Sequence, residues 1–394
     1  MRRARPRRAL RPLTAVLAAA LIVAACGGDD EPAPDLEEAA EPDEAPSDEQ
    51  DANGGAPDAD DPDGDEAEAD DTAAEDPATD EPAEDDASAD DATAEPPVDP
   101  AEVGADELGV VPVLMYHQLR EDGGSVYDMT PEEYRAELEW LFEEGFRPIT
   151  TSQLARGEID VPAGTMPVVL TYDDSTASQA QLTDDGELDP DTALGILVEI
   201  AARYDDAGPR ASVYVISGSL FGGTAAGEQV LEVLHGHGME LGNHTHTHPS
   251  LASIDADSVR EELATNVAVV TDLVPDAEVT TLSLPLGIWP DPRELAVAGS
   301  FASVGDYEHE GVLLVGSNPA PSPFHAEFDA LAIPRIRTSV DADAEYESAW
   351  WFEVIASSER WRPYVSDGNP ATISFPADRA DELDPAYAQR ANPY

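Results

Sequence analysis

The chain has 394 residues and a formal net charge of −64. Residues 27–108 contain 35 Asp and Glu but no Lys, Arg or aromatic residue. Such a segment buries too little apolar surface to offset the entropy of ordering, so we predict that it is disordered. The remaining 286 residues, 109–394, are enough for one large core, and they carry 49 acidic residues against 14 Arg. This charge argues against nucleic acid as a partner, because phosphate binding requires a basic surface.

The N-terminus has the layout of an export signal. Six of the first eleven residues are Arg, and an apolar run follows at residues 13–25. This run is shorter than the ~20 residues of a membrane-spanning helix but is typical of a secretory signal peptide. Cys26, the single Cys of the chain, follows small residues and resembles the lipobox Cys of bacterial lipoproteins. An ordinary signal peptide with an incidental Cys is the alternative.

The lipoprotein resemblance implies three segments with different roles. Residues 1–26 would be the signal peptide, and a lipid on Cys26 would anchor the protein to a membrane. Residues 27–108 would form an extended acidic tether. Residues 109–394 would then be a folded domain at the outer face of the cytoplasmic membrane or in the cell envelope.

Apolar runs of strand length alternate with helix-like segments along 109–394. Thr130, Pro131 and two following Glu are typical of a helix N-terminus. Strands are predicted at 110–116, 166–172, 211–217, 239–242, 279–285, 311–316 and 371–375. Helices are predicted at 130–144, 189–204, 228–236, from Asp255 or Asp257 to 273, and at 346–358. The alternation predicts an α/β fold with a parallel sheet, open or closed into a barrel, whose functional residues follow the carboxyl ends of the strands.

A first candidate site is the sequence Thr171-Tyr172-Asp173-Asp174, which ends a predicted strand. Adjacent carboxylates repel each other, and a bound cation favours the ionised form of both. The same residue types also form ordinary turns and helix N-caps, so the pattern by itself leaves both interpretations open.

A second candidate site is a cluster of histidines. His244, His246 and His248 are three of the eight His in the chain. Neutral imidazoles together with a carboxylate are common zinc ligands. On a helical turn His244 and His248 would lie together, whereas in an extended segment all three would share a face and His244 with His246 becomes the alternative pair. The more distant His309 and His325 are expected at the surface.

These two segments together resemble the motifs of the polysaccharide deacetylase family, the NodB-homology carbohydrate esterases. Asp173 and Asp174 match the first motif, and His244 and His248 match the second, His-Ser/Thr-x-x-His. The resemblance spans roughly residues 110–290 and implies a distorted (β/α) barrel. It also implies a hydrolase that removes N-acetyl groups from a polysaccharide, with Asp173 as general base. Asp174, His244 and His248 would bind one divalent metal ion, most simply zinc.

The opening of the domain and the third motif suggest further roles. Residues 112–117 are similar to the start of the subgroup that deacetylates poly-N-acetylglucosamine, in which an early His is the general acid. The resemblance implies this role for His117, and a structural His at a strand end is the alternative. By the same analogy, the backbone N–H of Leu286 would stabilise the oxyanion. Candidate substrate contacts are Tyr116, Pro285, Leu286 and Trp289, of which the two aromatic residues fit core packing equally well.

The sequence departs from the family pattern at two places. Ser283 stands where the family has an Arg that orients the base, and residues 372–376 lack the late His that serves most members as acid. We hypothesise that Arg335 or Arg337 replaces the missing Arg in space. The departures also leave a second hypothesis, a catalytically impaired, metal-containing lipoprotein that binds glycans.

Overall fold

The computed structural model describes residues 98–223 and 225–394. The predicted signal peptide, the lipobox Cys26 and the predicted tether up to residue 97 lie outside the described residues. Among the described residues, no helix combines the length and the apolar character needed to cross a membrane.

The folded domain begins earlier than the sequence predicts, so the predicted boundary at residue 109 is wrong. Asp99 caps a short helix, and Ala105 and Leu108 are buried in the core. Glu107 is buried as well, because its carboxylate accepts hydrogen bonds from backbone and side-chain donors, including the N–H of Ser374 at 2.7 Å. A count of charges treats such an acid as solvated, although hydrogen bonding allows it to be buried.

Twelve strands and seven α-helices make up the described chain. The strands are β1 (Val113–Tyr116), β2 (Phe146–Ile149), β3 (Met166–Tyr172), β4 (Ser212–Val215), β5 (Glu240–Asn243), β6 (Thr281–Ser283), β7 (Ala298–Phe301), β8 (Gly305–Glu308), β9 (Gly311–Leu313), β10 (Ile336–Arg337), β11 (Ile373–Phe375) and β12 (Ala391–Pro393). The helices are α1 (Pro100–Val103), α2 (Pro131–Glu143), α3 (Thr151–Arg156), α4 (Ala193–Ala201), α5 (Ala225–Gly236), α6 (Ala256–Leu273) and α7 (Ser348–Ser357).

The main sheet is parallel and curls into a distorted (β/α) barrel, as predicted. Its strands follow the order β10-β1-β3-β4-β5-β6-β9, and β2 pairs with β3. Ile333 pairs with Leu313 of β9, and three residues later the same segment pairs with β1 as β10. The segment 333–337 therefore contacts both edges of the sheet and closes it.

The helix N-termini follow from local sequence. Thr130 and Glu133 form a capping box at the start of α2, with Pro131 at the first helical position, as predicted. Thr192 caps α4, so this helix begins later than the predicted start at 189, and Asp255 caps α6.

Two expectations about the strands are corrected. The predicted closing strand at 371–375 is β11, which pairs with β12 in a separate two-stranded sheet and adds nothing to the barrel. The antiparallel hairpin of β7 and β8 and the short strands β2 and β10 were not predicted. Runs of two to four residues give too little periodicity to be recognised.

Alternation along β3 separates two apolar layers. Leu170 and Tyr172 pack with the helices outside the sheet, whereas Val169 packs in the opposite, interior cluster. Thr171 and Asp173 continue the interior face, because side chains two apart share one side of a strand. The interior of the barrel thus becomes polar at the carboxyl end of β3.

Candidate active site

Both sequence motifs and the third-motif segment meet at the carboxyl end of the barrel. Asp173 and Asp174 directly follow β3, His244 directly follows β5, and Ser283 ends β6. Because β3, β4, β5 and β6 are consecutive parallel strands in the sheet, these side chains converge at one edge.

Asp174, His244 and His248 form a compact cluster of potential metal ligands. One ligand atom from each residue lies within 4.8 Å of the other two. The Asp174 Oδ1 atom is 3.4 Å from His244 Nε2 and 3.6 Å from His248 Nε2. These separations exceed hydrogen-bond length. They fit the ~3.4 Å that separates donor atoms placed about 2.0–2.1 Å from a tetrahedral zinc ion.

His244 is oriented by a hydrogen bond from its other ring nitrogen. Its Nδ1 lies 2.8 Å from the carbonyl oxygen of Ser283, so Nδ1–H donates and Nε2 is left as the free acceptor. Such a second contact is characteristic of histidines that bind metal. The cluster therefore fits a divalent ion in both spacing and tautomer.

The histidine segment is an irregular loop, neither a helical turn nor an extended strand. Thr245 and His248 both adopt left-handed φ values, 64° and 60°. The hydroxyl of Thr245 accepts the N–H of His248 at 2.9 Å and stabilises this turn. His246 contacts Ser217, whose hydroxyl lies 2.9 Å from Nδ1. The Asp174 cluster thus contains His244 and His248, and the alternative pairing through His246 is not formed.

Arg335, one of the two residues hypothesised to replace the missing third-motif Arg, pairs with Asp173. It is fully buried and makes a bidentate pair with Asp173, with both N···O distances at 2.8 Å. The Ser283 hydroxyl donates a further hydrogen bond to Asp173 at 3.0 Å. Burial opposes ionisation of Asp173, but the Arg335 guanidinium and His244 outweigh it and hold the pKa of this carboxyl well below its usual range. Arg337, the other candidate, pairs with Glu347 instead.

His117 follows β1 and lies near these carboxylates. Its Nδ1 is buried and has no hydrogen-bond partner among the described residues. Burial lowers its pKa, against the opposing effect of Asp173 and Asp174. The side-chain amide of Gln179 donates to the carbonyls of both His117 and Asp173 and ties the ends of β1 and β3 together. No sequence signal pointed to Gln179.

The predicted substrate contacts divide into exposed and buried residues. Tyr116 is 3% exposed, stacks on Tyr172 at 5.1 Å and donates its hydroxyl to Glu137. It is therefore a core residue, and its assignment as a sugar-stacking surface is wrong. Of the other predicted contacts, Pro285 is buried. Leu286 is 59% exposed and adopts a left-handed φ of 59°. Trp289 is half-buried, and the Arg293 guanidinium lies over its ring.

A buried polar network lies behind the histidine loop. His309, expected at the surface, is buried, with Nδ1 2.7 Å from the Ala296 carbonyl and Nε2 3.2 Å from the Asn243 amide. The Asn243 Oδ1 atom in turn accepts the N–H of Thr245 at 2.8 Å. His325, the second His that was expected at the surface, is half-buried beside Glu382. The expectation for His309 failed because satisfied hydrogen bonds allow a neutral imidazole to be buried.

Comparison with known proteins agrees with the sequence motifs. Residues 160–299 match the family model for polysaccharide deacetylases. The chain is 22% identical over 186 residues to the "putative polysaccharide deacetylase YxkH" of Bacillus subtilis (strain 168), a match that covers 45% of this chain and 57% of that protein. Residues 160–299 are thus similar to the polysaccharide deacetylase family, and this match confirms the resemblance seen in the two motifs.

Two solved structures are similar to parts of the chain. One is the Streptococcus pyogenes deacetylase PplD in complex with acetate, at 22% identity and a TM-score of 0.44, covering 58% of this chain and 92% of that one. The other is IcaB from Ammonifex degensii, at 18% identity and a TM-score of 0.43, covering 64% and 97%.

Proposed function

We propose that this protein is a metal-dependent hydrolase that removes N-acetyl groups from a polysaccharide of the cell envelope or the extracellular space. The observation that carries the proposal is the position of the Asp174, His244 and His248 cluster directly beside a buried, ionised Asp173. Two imidazoles and one carboxylate form a donor set that suits catalytic zinc and leaves a position open for a reactant.

The metal would be held by Oδ1 of Asp174 and by Nε2 of His244 and His248. When bound, a divalent ion of this kind polarises a carbonyl oxygen and lowers the pKa of water. The protein supplies the fixed geometry, because His244 is held by the Ser283 carbonyl and the loop carrying His248 is held by Thr245.

Asp173 would accept the proton from the attacking water. One of its carboxylate oxygens, Oδ2, lies 4.0 Å from His244 Nε2, so it faces the same space as the ligand atoms. Arg335 holds both carboxylate oxygens, which keeps the group ionised and in one orientation. The residue therefore begins the reaction as a base.

His117 would donate a proton to the leaving amine, giving a free amino sugar and acetate. The residue is half-buried at the end of β1, and its buried Nδ1 has no hydrogen-bond partner among the described residues. Because burial lowers its pKa, the ring must first take up a proton from solvent, and the protonated ring is then a stronger acid than an ordinary imidazolium.

We further propose that the protein is exported and anchored through a lipid on Cys26. The support is the basic and apolar N-terminus followed by the single Cys of the chain. Detergent-phase partitioning of the full chain and of Cys26→Ala tests this, and equal partitioning of both would contradict it.

Acetate release by the full-length protein tests the proposed activity. The substrates compared are chitooligosaccharides, poly-N-acetylglucosamine and peptidoglycan, each once with added zinc and once with a chelator. We expect zinc-dependent release, and a loss of about 10²–10⁴-fold in kcat for Asp173→Asn with the metal still bound. Ser217→Ala, which removes only the partner of His246, is the control. No release from any substrate by the metal-loaded protein would instead favour the glycan-binding hypothesis.

A further inference from the structure

A small cavity lies at the same end of the barrel as the proposed catalytic residues. Its volume is about 170 Å³. It lies between three parts of the chain, namely the segment that follows β1, the strand β10, and the segment that precedes α7. Its walls include Tyr127, Val315, Arg337, Glu345 and Tyr346, and we call it the tyrosine pocket.

Two residues in the walls of the tyrosine pocket contact residues of the proposed active site. The ring of Tyr127 lies 5.0 Å from the ring of His117. Val315 packs against Gly287 of the third-motif segment so closely that a Cβ on Gly287 would lie 2.7 Å from the Cβ of Val315. The tyrosine pocket therefore adjoins both the proposed acid His117 and the third-motif segment.

Two aromatic side chains in the walls of the pocket are exposed to solvent. Tyr127 and Tyr346 are each 40% exposed, and they are two of the three aromatic residues that are at least this exposed among the described residues. The Tyr346 ring contacts Trp350 at 5.1 Å, and the Arg337 guanidinium lies 5.4 Å from the centre of the Tyr127 ring. Both rings are thus held in place before any ligand binds, which lowers the entropic cost of binding.

Polar groups surround these rings. Arg337 Nε lies 2.9 Å from a carboxylate oxygen of Glu347, and Glu345 is exposed beside it. A pyranose ring has C–H groups on its faces and hydroxyl or amino groups around its edge. Flat apolar surfaces combined with charged hydrogen-bonding groups match that chemistry.

We propose that the tyrosine pocket binds one hexosamine unit of the polysaccharide, adjacent to the unit whose acetyl group is removed. This proposal rests on the proposed function. The volume supports a single unit, because pockets that enclose larger ligands measure roughly 300–1,000 Å³. The pocket would make the enzyme prefer chains over monosaccharides.

Steady-state kinetics of Tyr346→Ala test the proposal, because Tyr346 contacts none of the proposed catalytic residues. We expect KM for N-acetylglucosamine oligomers of four or more units to rise about tenfold, with kcat nearly unchanged. Hydrolysis of a small aryl acetate should not change. Tyr346→Leu, which keeps apolar volume without a flat ring, should reproduce the effect, and Tyr346→Phe should not.

Tyr394→Ala is the matched control, since Tyr394 is 41% exposed and contacts Ala105 instead of the pocket. If the protein releases acetate from oligomers and both Tyr346→Ala and Tyr346→Leu leave KM unchanged, the pocket proposal is wrong and the proposed function stands. If no acetate is released, calorimetry with the same oligomers decides. Binding that weakens about tenfold in Tyr346→Ala supports the pocket alone, and the absence of binding overturns both proposals.

Discussion

Replacement of Arg335 by Met tests whether the pair with Asp173 replaces the missing Arg of the third motif. Arg335 donates to both carboxylate oxygens of Asp173, to the Leu314 carbonyl at 2.9 Å and to the Thr171 hydroxyl at 3.3 Å. Met has a similar apolar length but no donors. In the variant, Asp173 remains buried with the Ser283 hydroxyl as its remaining side-chain donor among the described residues.

An uncompensated buried charge makes this substitution costly. Breaking a buried ion pair by removing one partner costs about 3–5 kcal/mol, so we expect this loss in the free energy of unfolding at pH 7. The folded-state pKa of Asp173 lies below the unfolded value, so the pair stabilises the fold at pH values above about 4 and loses its effect below. The difference between wild type and Arg335→Met should therefore shrink as the pH falls.

Urea unfolding of the metal-free full chain measures these values. Asp173→Asn and the double variant complete the cycle, and we expect a coupling free energy of about 2 kcal/mol or more. Arg337→Met is the control, because its pair with Glu347 is partly exposed and worth at most about 1 kcal/mol. A loss below about 1 kcal/mol in Arg335→Met, or additive single effects, would refute the reasoning.

Three further predictions follow from the site and its surroundings. His248→Ala should weaken zinc binding by more than the ~100-fold that loss of an outer-shell partner can cost, measured in competition with a chelating dye, whereas His246→Ala should leave it nearly unchanged; the reverse result would restore the alternative pairing. His117→Ala should lower kcat more for acetamides than for aryl acetates, whose leaving group needs no proton, and equal losses on both substrates would make His117 a structural residue. Burial raises the pKa of Glu137 from 4.5 to about 7, so on raising the pH the unfolded state loses this proton before the folded state does. The free energy of unfolding should therefore fall by up to about 3 kcal/mol between pH 4.5 and 7. Urea unfolding of Glu137→Gln should show a smaller fall with pH, and the fall that remains is due to Glu107, whose pKa is also raised to about 7. If the pH dependence of the unfolding free energy is the same as in wild type, Glu137 is ionised in the folded state.

Local sequence was sufficient for much of the architecture and for the potential metal ligands. The Thr130 capping box and the apolar run of β3 predict their elements because the interactions involved span only a few residues. Donor types pointed to the two Asp and the three His, and the resemblance to the deacetylase motifs selected Asp174, His244 and His248 among them.

The partner of Asp173 and the contents of the site depended on tertiary structure. Arg335 is 162 residues away from Asp173, and it reaches the carboxylate because the segment from Ile333 onward closes the barrel beside β1. The burial of Tyr116 and the contact of Tyr127 with His117 likewise depend on how strand ends and loops pack. Residue type and spacing specify what a side chain can do, whereas strand register and barrel closure decide which distant side chain it meets.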